Sequence, residues 1–282
     1  MSTLLRVRRR AAAPALDLVA VLAALAWLFP VYWMVNSALL PTNRLQTPTP
    51  TFLPVDGTLA NVRRVLADPS FYAAFRVSLL VTGLTLLAAV LFALLAALAL
   101  SRFRFGGRKG FVVAVLVVQM IPAEALFISQ YQVLDGWGLV NRVAGLVLVY
   151  VAAILPFTVW LLRGFVAGVP VELEEAAMVD GLSRTGAFFR VTFPLLAPGL
   201  VAAGVYGFLQ AWNEYTLALV VMTDPGRATL PLWLQGLVES NRATDWGLVM
   251  AGSTLIAVPV IAFFLLVQHR MTAGLVSGAV KG

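Results

Sequence analysis

The chain has 282 residues, of which 61% are hydrophobic and only 12% are charged, and its mean hydropathy is +0.91. This composition excludes an ordinary soluble globular protein and indicates a polytopic membrane protein. The net charge of +7 does not indicate a nucleic-acid-binding protein, because the basic residues are not gathered on a soluble domain. The absence of cysteine excludes a disulfide framework, a thiolate metal site and a cysteine nucleophile.

Six apolar runs are long enough to cross a bilayer as helices. The first, residues 15–40, follows a basic amino-terminal segment, 1–14, and is too long for a signal-peptide core. Residues 41–72 are too polar and proline-rich to span, so we expect an external loop there, with a short helix near 59–66. A five-helix core, 73–268, contains the other runs, and a tail, 269–282, follows it. These five runs are 73–100, 111–129, 143–166, 199–222 and 247–268.

The distribution of lysine and arginine predicts which side of the membrane each segment faces. Six spans place both termini on one side, and that side carries thirteen basic residues, against seven in the longer loops opposite. By the positive-inside rule, we expect the termini and the polar segment 167–197 in the cytoplasm.

Segment 167–197 is polar although it lies between two long apolar runs. Pro170 suits a first helical position, and Glu172, Glu174 and Glu175 follow it, where negative charge complements the helix dipole. We expect a short helix that stops at Asp180 and Gly181.

A second short helix is expected after this turn. Ser183 or Thr185 would cap it, and it would end before Pro194. The sequence therefore predicts a bent pair of helices held in water between two membrane spans.

The residue order in this segment resembles the EAA loop of binding-protein-dependent ABC transporter permeases, so we call residues 167–197 the EAA segment. The resemblance implies that the segment docks into a cleft on an ATP-binding subunit; the alternative is an ordinary amphipathic loop. A departure from the family pattern is Phe189, where a basic residue is common. The residues that carry the resemblance, and that it assigns to ATPase coupling, are Glu175, Ala176, Ala177, Asp180, Gly181, Phe188 and Pro194.

Two further stretches, 212–215 (Trp-Asn-Glu-Tyr) and the glycine-rich end 273–282, resemble the carbohydrate branch of these permeases, the branch of the maltose permease subunit MalG. The resemblance implies an all-α type I ABC importer permease fold with six transmembrane helices and a plasma-membrane location. It also implies three kinds of protein partner: a second, different permease subunit, two ATP-binding subunits that hold ATP and Mg, and an extracytoplasmic sugar-binding protein.

The sequence has no glycine-rich phosphate-binding loop followed by Lys and Ser or Thr. We therefore expect no ATPase activity, catalytic residue, metal site or cofactor in this chain, and we expect the energy for transport to come from a partner. The alternatives are a permease for another solute, such as glycerol phosphate or an amino acid, and an ion-coupled secondary carrier.

Polar residues within the predicted third and fifth spans are candidates for the substrate pathway, because such groups are costly in lipid. Those in the fifth span recur at helical spacing and would form one polar stripe, which suits sugar hydroxyls. The alternative is that they form hydrogen bonds to a partner subunit. If Glu124 and Glu214 were proton relays, the chain would be an ion-coupled carrier. The candidates are Gln119, Glu124, Tyr206, Gln210, Asn213 and Glu214.

Overall fold

The computed structural model describes the backbone of residues 2–45, 47–238 and 244–279, and the side chains of residues 17–45, 47–238 and 244–269. Within these ranges the secondary structure is helical without strands, which confirms the all-α class. The side chains of the amino-terminal arginines and of the glycine-rich end lie outside the described residues.

The helices vary widely in length. The short ones include 3₁₀ turns at Ala123–Leu126 and Pro225–Arg227 and a π-helical turn at Phe188–Thr192. The α-helices of the described part of the chain are α1 Ser2–Leu39, α2 Thr42–Leu45, α3 Ala60–Ala67, α4 Pro69–Arg102, α5 Arg108–Val118, α6 Phe127–Gly136, α7 Val143–Gly168, α8 Glu172–Val179, α9 Arg184–Ala187, α10 Phe193–Leu195, α11 Ala197–Trp212, α12 Thr216–Val221, α13 Leu230–Val238 and α14 Trp246–Ala279.

Four helical stretches in the described part of the chain are long and apolar enough to cross a membrane. Two further pairs of helices meet the same criterion only as bent pairs, and counting each pair as one span gives six. The four stretches are Asp17–Leu39, Pro69–Arg102, Val143–Gly168 and Trp246–His269.

The span expected over 111–129 is not one continuous helix. The chain bends by 95° between Arg108–Val118 and Ala123–Gly136. Pro122 lies in this break, at the N-cap of the 3₁₀ turn. Proline has no N–H to donate and disfavours helical geometry in the residue before it, which accounts for the interruption.

The expected continuous helix over 199–222 is also interrupted. α11 ends at Trp212, and α12 begins only at Thr216. In the gap, the Glu214 carboxylate accepts hydrogen bonds from the backbone N–H groups of Leu217 (2.7 Å) and Ala218 (3.0 Å). A side chain that caps a new helix in this way competes with continuation of the old one.

One compact unit comprises Pro69–Gln235 and Pro259–Gly282, and its centre is formed by α4 packed along α7 and α11. Small residues allow the close approach of these helices. Ala89, Ala93 and Ala97 of α4 are fully buried, and a Cβ atom on Gly199 of α11 would lie 2.4 Å from the Phe165 ring of α7. This packing fixes the two helix ends from which the EAA segment departs and returns.

The other unit comprises Met1–Asp68 and Gly236–Val258. The predicted short helix near 59–66 is confirmed as α3, whose Arg64 forms an ion pair of 2.6 Å with Asp245. Burial alone would raise the pKa of Asp245, but hydrogen bonds from Arg64 and from the backbone of Leu248 and Gly247 lower it below its ordinary value.

Candidate functional site

The first helix of the EAA segment forms, but Pro170 lies before it and not at its first helical position. α8 spans Glu172–Val179, with Val171 at its N-cap and all three glutamates in the first turn. Negative charge there complements the exposed N–H groups of the helix start. The charge pattern therefore fixes where α8 begins.

The turn after α8 is a Schellman motif centred on Gly181. This residue has φ +92°, and its N–H donates to the Met178 carbonyl at 3.1 Å. The Leu182 N–H donates back to Ala177 at 3.1 Å, and the Asp180 N–H donates to Ala176 at 3.0 Å. These bonds satisfy the last carbonyls of α8, so the expected positive φ at Gly181 is confirmed.

The second helical stretch begins at the predicted cap but does not end where we expected. The Ser183 hydroxyl accepts the Gly186 N–H at 3.1 Å. The chain continues through the π-helical turn that begins at Phe188 and through α10, which contains Pro194. The expected end before Pro194 is wrong, because proline lies in the first turn of α10, where its missing N–H is not needed.

The two alanines of the motif do not share one face. Ala177 is buried, whereas Ala176 is exposed, as is Glu175 beside it. Successive helical residues are rotated by about 100°, so neighbours cannot both face one surface. The Glu175 carboxylate makes no hydrogen bond or ion pair with any described residue, so it is available to a partner.

The EAA segment also exposes apolar side chains, one of them, Val179, a helical turn after Glu175. Val179 is 88% exposed and Phe189 is 59% exposed. Phe189 contacts Phe188 and Phe193, at ring centroid distances of 5.0 and 6.0 Å. Exposed apolar groups around an acidic side chain are typical of a protein-binding surface.

Glu174 behaves differently from Glu175 and was not singled out from the sequence. Its carboxylate lies 3.0 Å from the guanidinium of Arg102, at the end of α4, and accepts a hydrogen bond of 2.7 Å from the Thr192 hydroxyl. No local pattern distinguishes the two glutamates. Glu174 lies three residues before the buried Ala177, so both side chains are on the same face of α8, but that burial is visible only in the structure.

The candidate pathway residues of the third predicted span lie at its break. Gln119 is the C-cap of α5, and Glu124 is in the 3₁₀ turn. Both side chains are exposed, and neither makes a hydrogen bond or ion pair with the described residues. The structure therefore places them in an irregular segment and leaves their polar groups available.

The predicted polar stripe of the fifth span is wrong in its geometry, because the helix ends before it is complete. Gln210 is exposed on α11, and Tyr206 packs against Phe157 with ring centroids 4.4 Å apart and ring planes tilted by 43°. Asn213 is exposed and donates its side-chain N–H to the Leu209 carbonyl at 2.9 Å. Glu214 caps α12, so it does not continue the stripe.

Comparison with known proteins gives the chain's relationships. Residues 74–274 match the family model described as "Binding-protein-dependent transport system inner membrane component". The chain is 41% identical over 266 residues to the diacetylchitobiose uptake system permease protein DasC of Streptomyces coelicolor, covering 94% of this chain and 96% of that protein. It is 34% identical over 270 residues to the trehalose/maltose transport system permease protein MalG of Thermococcus litoralis, covering 93% and 95%.

A solved structure has the same fold. A chain of a bacterial ABC transporter involved in the import of the acidic polysaccharide alginate superposes with a TM-score of 0.79 at 21% identity, covering 92% of this chain and 96% of that one. The type I ABC permease fold expected from the sequence is confirmed. The chain belongs to the family of inner membrane components of binding-protein-dependent transport systems, the ABC transporter permeases.

Proposed function

We propose that this chain is the transmembrane permease subunit of an ATP-driven importer that carries a sugar or oligosaccharide by alternating access. The main support is the set of full-length relatives named for sugar transport. Two of them, named for diacetylchitobiose and for trehalose and maltose, are 41% and 34% identical over more than nine-tenths of this chain. Such identity over the whole length favours a shared class of substrate.

The EAA segment docks on an ATP-binding subunit, and this contact couples transport to ATP hydrolysis. Glu175 is exposed without a side-chain partner among the described residues. Val179 provides exposed apolar area one helical turn away, and Phe189 provides more in the second helical stretch of the EAA segment. A carboxylate in a partly desolvated cleft favours a charge-assisted hydrogen bond to a basic residue of the partner.

The complex contains a second, different permease subunit, two ATP-binding subunits that hold ATP and Mg, and an extracytoplasmic binding protein that delivers the sugar. Both termini and the EAA segment lie in the cytoplasm, in accordance with the excess of basic residues on that side. The complex lies in the plasma membrane of a bacterium or an archaeon.

The geometry of Glu214 argues against an ion-coupled carrier. Both oxygens of its carboxylate accept backbone N–H groups of α12. A carboxylate held in this way is a fixed helix cap, and it is poorly placed to carry protons along a pathway. Glu124 remains as a single exposed acid without a neighbouring relay partner in the described chain.

The test is uptake into proteoliposomes that contain the full complex and its binding protein. We expect uptake of a radiolabelled sugar to require ATP inside the vesicles and to persist after a protonophore has removed any proton gradient. A panel of diacetylchitobiose, trehalose, maltose, glycerol phosphate and an amino acid tests the substrate class. Uptake that follows the proton gradient, or that is limited to the last two solutes, would contradict the proposal.

A further inference from the structure

The Glu174 carboxylate is the point at which separate parts of the chain meet. Its Oε1 atom lies 3.0 Å from an N–H nitrogen of Arg102 and accepts the Thr192 hydroxyl at 2.7 Å. The same nitrogen of Arg102 donates to the Val169 carbonyl at 3.1 Å. Thus the end of α4, the end of α7, the helix α8 and the π-helical turn are joined through three side chains.

These groups are removed from water. The side chains of Arg102 and Glu174 are 15% and 16% exposed, and Thr192 is fully buried. A sheltered ion pair adds little net stability, because desolvation offsets the attraction, but loss of one partner leaves an uncompensated charge. Such a pair therefore opposes separation of the elements that it joins.

A second contact ties the same two parts of the molecule together. The Arg184 guanidinium of α9 lies over the Phe103 ring, 5.7 Å from its centroid, and Phe103 directly follows α4. Both helical stretches of the EAA segment are thus attached to the end of α4. Because α4 packs along α7 and α11, these contacts form a continuous path from the EAA segment to the helices at the centre of the unit.

We propose that Arg102, Glu174 and Thr192 form a strut that transmits movement between the EAA segment and α4, so that they are positioning residues for the coupling of ATP hydrolysis to transport. This rests on the proposed function. The two adjacent glutamates have separate tasks: Glu175 faces outwards to the ATP-binding subunit, and Glu174 faces inwards to the membrane helices.

The test compares variants that differ by one hydrogen-bonding group. Glu174→Gln removes the charge that balances Arg102, and Thr192→Val removes the hydroxyl at nearly constant volume. Their controls are Glu172→Gln, which makes the same chemical change at an exposed position of α8, and Thr192→Ser, which keeps the hydroxyl. Each full complex is measured for sugar taken up per ATP hydrolysed, for stimulation of ATPase activity by the loaded binding protein, and for melting temperature.

We expect Glu174→Gln and Thr192→Val to assemble and to hydrolyse ATP, with the amount of sugar taken up per ATP reduced about fivefold or more. A fivefold change corresponds to the smallest coupling free energies that are typical between two sites. Both controls should keep the wild-type ratio. A wild-type ratio in assembled Glu174→Gln and Thr192→Val complexes would overturn the strut. Loss of assembly in both would make the network a folding contact and would also overturn it.

If Glu174→Gln alone fails to assemble, the two Thr192 variants test the strut. Less sugar taken up per ATP by Thr192→Val than by Thr192→Ser supports the strut, and equal uptake per ATP overturns it. The wild-type complex separates this inference from the proposed function. If the wild-type complex shows no ATP-dependent sugar uptake, the function has failed; if it does and the variants match it, only the strut has failed.

Discussion

Gly181 is the residue whose backbone conformation sets the path of the EAA segment. Its φ of +92° lies in the left-handed region, and a Cβ atom added there would meet no neighbour within 4 Å. The cost of a side chain therefore comes from the backbone alone, about 1–2 kcal/mol for an L-residue in that conformation. We expect Gly181→Ala to lower ATP-dependent uptake while the membrane helices remain folded, as measured by uptake and by circular dichroism.

Gly164 provides the matched control for this prediction. It lies within α7, a Cβ atom there would also meet nothing within 4 Å, and its φ is not positive. Alanine at this position should be neutral or slightly stabilising, because it reduces the freedom of the unfolded chain. Equal uptake by Gly181→Ala and Gly164→Ala would show that the conformation of the turn does not limit coupling.

At the scale of elements, the break between α11 and α12 divides the polar residues that the sequence predicts as one stripe into a helix cap and exposed side chains. Glu214 has a structural task as the cap of α12, whereas Gln210 and Asn213 are exposed. We expect Glu214→Ala to lower the melting temperature of the complex, because loss of a helix cap costs about 1 kcal/mol. Gln210→Ala and Asn213→Ala should instead raise the half-saturating sugar concentration about fivefold, if each loses a hydrogen bond of about 1 kcal/mol to a sugar hydroxyl.

Uptake kinetics and thermal unfolding of each variant distinguish these outcomes. A lowered melting temperature with unchanged uptake for Gln210→Ala and Asn213→Ala would favour bonding to a partner subunit over the pathway role. Wild-type stability of Glu214→Ala would show that the cap is dispensable.

The elements that could be predicted from the sequence are those set by local rules. α8 begins at its glutamates and ends just before the turn at Gly181, because dipole and turn chemistry act within a few residues. The strut could not be predicted in this way, because Arg102 and Glu174 are brought together only by the packing of α4 against α7. The break at Glu214 was missed because a periodic pattern does not reveal when a side chain caps the next helix.

For the whole molecule, the absence of cysteine makes the orientation in the membrane directly measurable. Val55 is 85% exposed in the loop between α2 and α3, and Gly106 is exposed in the loop between α4 and α5. The proposed orientation places the first loop outside and the second, which follows Arg102 and Arg104, in the cytoplasm. We expect a membrane-impermeant maleimide to label Val55→Cys on intact cells, or on spheroplasts where an outer membrane is present. It should label Gly106→Cys only after permeabilisation. The reverse pattern would place the EAA segment outside, where no ATP-binding subunit could reach it, and would contradict the coupling role of Glu175 and the strut together.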